Sequence, residues 1–234
     1  MKITLNLFVC LFTIIVSAQD INQLDNKGER HGIWKKNYEN TEVSRYEGEF
    51  LHGKEIGLFK FYKNVNGRAV LAATKQFNRE NKISQVKFFA STGKVISEGQ
   101  MNGRAYIGKW IYYHNKSNEI LSIDLYNNEG LLNGERLVYY ENAVLAQKEL
   151  YANGKLQGKS IWYNEAGVVT NEYNYDNGEL HGEAKTFDTH GSLIVEGQYQ
   201  RDRKHGIWKY YKNDSLVKEK DFTRYSKNPY KKKD

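Results

Sequence analysis

The chain of 234 residues has one cysteine, one proline and two methionines. Cys10 lies in an apolar run at the N-terminus, with Leu7-Phe8-Val9 before it in place of the small residues of a lipidation box. Beyond that run there is no thiol, which excludes disulfides, zinc–thiolate sites and thiol nucleophiles from the rest of the chain. Catalytic motifs are missing too: there is no G-x-S-x-G elbow and no H-E-x-x-H helix. Two phosphate-loop fragments are incomplete. Gly103 to Lys109 has the glycines and the lysine, but Trp110 stands where a magnesium ligand is needed. Gly158-Lys159-Ser160 has the lysine and hydroxyl, but Asn153 replaces the first glycine. No window shows the 3.6-residue apolar stripe of an amphipathic helix. Neither charge sign dominates, with 35 basic and 28 acidic residues for a formal charge of +7. Acids and bases interleave, which reads as a solvated sheet surface. A basic balance is also compatible with acidic partners.

What the chain has is a block of about 24 residues, repeated. Gly32, Gly57, Gly108, Gly134, Gly158, Gly182 and Gly206 open the blocks, and Ser84 fills the third slot. Five residues on, every block but the first has an aromatic: Tyr62, Phe89, Tyr113, Tyr139, Tyr163, Phe187 and Tyr211. The blocks close on Phe50, Phe77, Met101, Tyr126, Tyr151, Tyr175, Tyr199 and Phe222, which makes eight units. Within a unit the period is two, as in Trp208 and Tyr210 against Lys209. Asn66-Gly67, Asn102-Gly103, Asn153-Gly154 and Asn177-Gly178 supply the positive φ of tight hairpins. The expected fold is all-β: an elongated single-sheet array of about eight consecutive antiparallel β-hairpins, on the order of 75–80 Å long.

Tyr46-Glu47-Gly48-Glu49-Phe50, followed by Gly53 and Gly57, resembles the signature of MORN repeats. Glu98-Gly99-Gln100-Met101 and Glu196-Gly197-Gln198-Tyr199 echo it. Asn153 to Gly158 and Asn177 to Gly182 are similar to the variant form in YwqK-family antitoxin proteins. The resemblance spans roughly residues 26–222. Departures from it are Asn37 in the first unit, Ser84 in the third and Arg136 at the usual tryptophan position of the fifth.

Outside the array, Lys2, the apolar run Ile3 to Val16 and Val16-Ser17-Ala18 form a signal-peptide pattern cleaved after Ala18. The expected organisation is therefore 1–18 signal peptide, 19–25 linker, 26–222 repeat array and 223–234 a basic, disordered tail. The compartment is periplasmic, envelope-associated or secreted. The tail, with Lys227, Lys231, Lys232 and Lys233, is either a solvated end or a contact for an anionic membrane surface.

His31, His181 and His205 share the slot before the block glycine. Neighbouring units place such residues roughly 9–10 Å apart, too far for a shared metal unless the side chains converge, so they read as surface histidines. Glu47, Glu98, Glu172, Glu196 and Glu219 form a second column, for which cross-strand lysine pairing is the simpler reading than acid–base work. The candidate binding surface is an aromatic ladder: Trp110, Tyr112, Trp162, Tyr163, Trp208 and Tyr210. Its rings either form a groove for a peptide or glycan or pack as core. No catalytic residues, cofactor or metal are expected. The chain reads as an exported, non-enzymatic scaffold for a protein partner. The resemblance to the YwqK family implies an antitoxin or immunity-like role. The alternative is membrane-surface association through phospholipid, with no nucleic acid and no small-molecule substrate expected.

Overall fold

The structure is a computed structural model that describes residues 20–223. The predicted signal peptide and all but the first residue of the predicted tail lie outside the described residues. Eighteen strands form one open antiparallel sheet, and there is no helix among the described residues. In chain order they are β1 Gln23–Leu24, β2 Arg30–Asn37, β3 Ser44–Leu51, β4 Lys54–Val65, β5 Arg68–Phe77, β6 Ile83–Phe89, β7 Val95–Asn102, β8 Ala105–Tyr113 and β9 Ile120–Tyr126. There follow β10 Gly134–Tyr139, β11 Leu145–Ala152, β12 Lys155–Leu156, β13 Gly158–Tyr163, β14 Val169–Asp176, β15 Glu179–Phe187, β16 Leu193–Gln200, β17 Arg203–Lys212 and β18 Ser215–Asp221. Each strand pairs with its neighbour in sequence except β12 and β13, which both pair with β11. Gln23 and Leu24, in the segment read as a linker, form β1 and cover part of the N-terminal edge.

The block-opening glycines hold the register. All seven have positive φ, from 63° at Gly108 to 111° at Gly134. A left-handed residue lets a strand take up extra chain as a bulge. The pairing of β3 with β4 accordingly slips between Glu47 and Glu49, opposite Gly57. That of β7 with β8 slips between Glu98 and Gln100, opposite Gly108, and β16 with β17 does the same opposite Gly206. Ser84 accounts for its own departure from the rule: β5 and β6 pair without any slip, so no left-handed residue is needed there.

The bulge brings the ring two residues after the block glycine onto the strand of the preceding unit. A Cβ built on Gly48 would lie 2.4 Å from the ring of Phe59, one on Gly99 2.5 Å from Trp110, and one on Gly197 2.3 Å from Trp208. In the Glu47-Gly48, Glu98-Gly99 and Glu196-Gly197 pairs the second residue is glycine because the next unit's ring rests on its backbone. The indole N–H groups then donate to the adjacent carbonyls, Trp110 Nε1 to Gln100 O at 2.8 Å and Trp208 Nε1 to Gln198 O at 3.0 Å. Trp110 is 0% exposed and Trp208 4%. Where the first partner is larger, the second shrinks. Lys75 faces Val86 and Tyr173 faces Ala184 in direct pairs, and Glu149 and Ser160 hold the same two positions between the fifth and sixth units. The core is thus a row of size-matched pairs along one face, with Val86, Met101 and Trp110 at one centre and Phe88, Tyr106, Tyr112 and Tyr126 around it.

Gly99→Ala is expected to cost about 1–3 kcal/mol by overpacking against Trp110. Adding Trp110→Leu should restore part of that loss. Urea unfolding of the two single variants and the double variant reads the coupling, and strict additivity would show that ring and glycine do not share one site.

Candidate binding face

The structure separates the six residues of the aromatic ladder. Trp110 and Trp208 occupy the ring-on-glycine row and are core. Tyr112, Trp162 and Tyr210 lie in a second row on the same face, two residues further along their strands. Tyr163 follows Trp162 along the strand and so takes the opposite face. Only Trp162 among the ladder tryptophans is exposed, at 43%. Its Nε1 donates to Ser160 Oγ at 3.1 Å, and its strand neighbours are Gln147 and Asn171. Tyr112 is half-buried, its hydroxyl 3.2 Å from that of Tyr126. Tyr210 has the Lys204 and Lys218 ammonium groups near its ring, at 5.9 and 6.0 Å. The shift of Trp162 by two positions from Trp110, visible in the sequence, is the signal that puts it outside the core row.

Beside Trp162 the size-matched row becomes ionic. Asp124 occupies the position that Gly99 has one unit earlier, and Arg136 takes the ring's place. Arg136 Nε donates to Asp124 Oδ1 at 3.3 Å and Nη1 to Glu149 Oε2 at 3.1 Å. Both carboxylates are buried, at 7% and 6%. Glu149 also accepts from Gln147 Nε2 at 2.6 Å and from the Tyr151 hydroxyl at 3.2 Å, and Tyr126 reaches Asp124 Oδ2 at 3.5 Å. Burial works against the Arg136 guanidinium, but the two carboxylates outweigh it and raise its pKa. Burial likewise pushes the Tyr112, Tyr126 and Tyr151 hydroxyls up, keeping them neutral donors. Arg136 was legible as a break in the repeat. Its two acid partners were not, because they come from flanking strands. The result is a closed polar network in the aromatic face, with Trp162 standing over its edge.

The opposite face carries the glutamate column. Lys60 Nζ lies 3.1 Å from Glu47, Lys87 2.9 Å from Glu98, Lys159 3.1 Å from Glu172 and Lys209 3.9 Å from Glu196. In three units the aromatic five residues after the block opener joins the same column. Tyr62 donates to Glu47 at 2.8 Å, Tyr113 to Glu98 at 2.5 Å and Tyr211 to Glu196 at 2.7 Å. Each of these bonds ties one unit to the next. The lysine pairing expected from the sequence is therefore present at four of the five glutamates, Glu219 on β18 having no lysine within 4 Å among the described residues, and the tyrosine partner is an addition.

Residues 156–177 and 180–201 match the MORN repeat variant family model. These two stretches contain most of β13 to β16, including Ser160, Trp162 and the Tyr173–Ala184 pair. No curated protein matches the chain. Two consecutive units of the array thus match the MORN repeat variant, within a sheet built from stacked hairpins.

Arg136→Met strands two buried carboxylates and is expected to lose about 3–5 kcal/mol of stability. Adding Asp124→Asn and Glu149→Gln should recover most of it, read by urea unfolding.

The glutamate column makes stability depend on pH. The hydroxyls of Tyr62 and Tyr113, with nearby lysines, hold Glu47 and Glu98 below the ordinary value of 4.5. A carboxylate depressed in the folded state contributes stability that is fully present above 4.5 and is lost as pH falls through the lower folded pKa. The melting temperature should fall across that interval, and Tyr113→Phe should flatten the fall. Equal slopes in the two proteins would remove Tyr113 from the account.

Proposed function

We propose that the chain is an exported, non-enzymatic scaffold that binds a protein partner through its aromatic face, centred on Trp162. The observation that carries this reading is the exposure of Trp162 in a face whose other ladder tryptophans are buried as inter-unit locks. A large amphipathic ring on a paired strand loses little entropy on binding and is a characteristic hot-spot residue. The half-buried tyrosines beside it offer polar contacts, and the Asp124–Arg136–Glu149 network has both carboxylates hydrogen-bonded to the one guanidinium. The YwqK-like variant pattern supports an antitoxin or immunity-like role, in which the bound protein is a toxin met outside the cytoplasm.

Membrane attachment is the less favoured reading. Lys35, Lys60, Lys87, Lys159 and Lys209 on the polar face each lie within 4 Å of a glutamate, so their charge is largely neutralised where a lipid surface would need it.

The test is a crosslinked pull-down of the mature chain from its native envelope, with wild type and Trp162→Ala in parallel. One stoichiometric protein retained in high salt and reduced at least tenfold by Trp162→Ala is the expected result. Recovery only with anionic lipid, lost as salt rises, would replace this reading with membrane association.

A further inference from the structure

Three segments meet at the N-terminal edge of the sheet. The first is the turn of residues 25–29, closed by Asp25 N–H to Glu29 O at 2.8 Å and Gly28 N–H to Asp25 O at 3.0 Å. The second is the start of β2, where His31 pairs with Gln23. The third is the β3–β4 turn, whose His52 and Gly53 both have positive φ and whose Gly53 N–H donates to Arg30 O at 2.8 Å. They bring together two imidazoles and a carboxylate. Donor atoms of Asp25, His31 and His52 all lie within 4.8 Å of one another, and the two imidazole centroids are 4.9 Å apart.

Each donor is in a state suited to a cation. Asp25 has 7% side-chain exposure, and its Oδ1 accepts the backbone N–H groups of Lys27 and Glu29, both at 2.9 Å. That leaves Oδ2 directed at His52 Nδ1, 2.6 Å away. His31 Nδ1 is shielded from solvent and has no hydrogen-bond partner. Buried polar atoms are rarely left so, and a lone pair on an imidazole nitrogen is a ready metal ligand. His52 is 60% exposed on its turn, so its ring has room to move.

We infer that Asp25, His31 and His52 form a binding site for a borderline divalent cation of the zinc type. Two imidazole nitrogens and one carboxylate oxygen are a donor set that such ions accept, with the fourth position left to solvent. Metal–ligand bonds of about 2.0–2.1 Å place neighbouring donors about 3.3 Å apart, so binding draws the cluster inward and opens the short Asp25–His52 contact. Rotation of the exposed His52 ring supplies both movements. The backbone donors to Asp25 fix the carboxylate as an outer shell would. The ion would tie the 25–29 turn and β1 to the first two units, closing the edge that the rest of the sheet stacks from.

Among the described residues the site belongs to the first unit alone. His181 occupies the same repeat slot as His31, but Arg201 stands where that unit would need His52. The histidine column noted in the sequence is therefore not the site. One of its members is, through residues that do not repeat.

The test uses the full chain without an affinity tag, stripped with chelator and titrated with Zn²⁺ by calorimetry, and with Co²⁺ by its visible absorption. One equivalent is expected to bind in the micromolar range or tighter, with a rise in melting temperature. His52→Ala, on an exposed turn, should keep the fold yet weaken binding at least tenfold and abolish the rise. Asp25→Asn should weaken it less, and His181→Ala should leave it unchanged. Absence of binding, or binding that His52→Ala leaves intact, would overturn the site.

Discussion

Everything in this sheet depends on how one unit grips the next, and that grip is the seating of a ring on a bare backbone. A single-layer sheet has no second layer to bury its apolar face against. The array answers this within the layer. A left-handed glycine lets the strand bulge, the bulge lowers the following aromatic side chain, and the ring covers the preceding strand where a glycine leaves room. Phe59 on Gly48, Trp110 on Gly99 and Trp208 on Gly197 are three instances of one device. Because each ring touches the unit before it, stability in the array is a sum over neighbours.

The device also explains which variation the array accepts. Its interfaces require the two facing residues to fill a shared volume, so Val86 sits beside Lys75 and Ala184 beside Tyr173 where a ring would clash. At the centre the same two positions hold opposite charges, Asp124 and Arg136, and the acid of the next unit, Glu149, completes the network. A buried ion group of this kind adds less stability than a ring. Beside it on the same face Trp162, displaced by two positions from the core row, is exposed. The binding surface proposed here thus arises where the packing rule is relaxed.

The repeat architecture was legible because its two signals are local. Glycine at seven of the eight block starts and an aromatic five residues later in all but the first are read directly along the chain; the glycine serves the bulge at Gly57 or Gly108, and at Tyr62, Tyr113 and Tyr211 the aromatic serves a bond to glutamate. Ser84 and Arg136 were visible as exceptions. Their meanings were not, since one depends on an unbroken register between β5 and β6 and the other on acids 12 and 13 residues away on flanking strands. The aromatic ladder drew Trp110, Trp162 and Trp208 into one set by residue type, although burial divides them. The cluster of Asp25, His31 and His52 was illegible for a further reason: Asp25 and His52 are 27 residues apart and neither belongs to a repeated column.

The sequence by itself determined the strand count per unit, the hairpin order and the alternation of faces, because period, turn chemistry and block length act over a few residues each. Tertiary structure alone decided which rings are core and which are surface, which acids meet Arg136, and which histidine gains partners. Those outcomes depend on the bulged register between units, which brings side chains from adjacent strands within a few ångströms and which no single stretch of chain encodes.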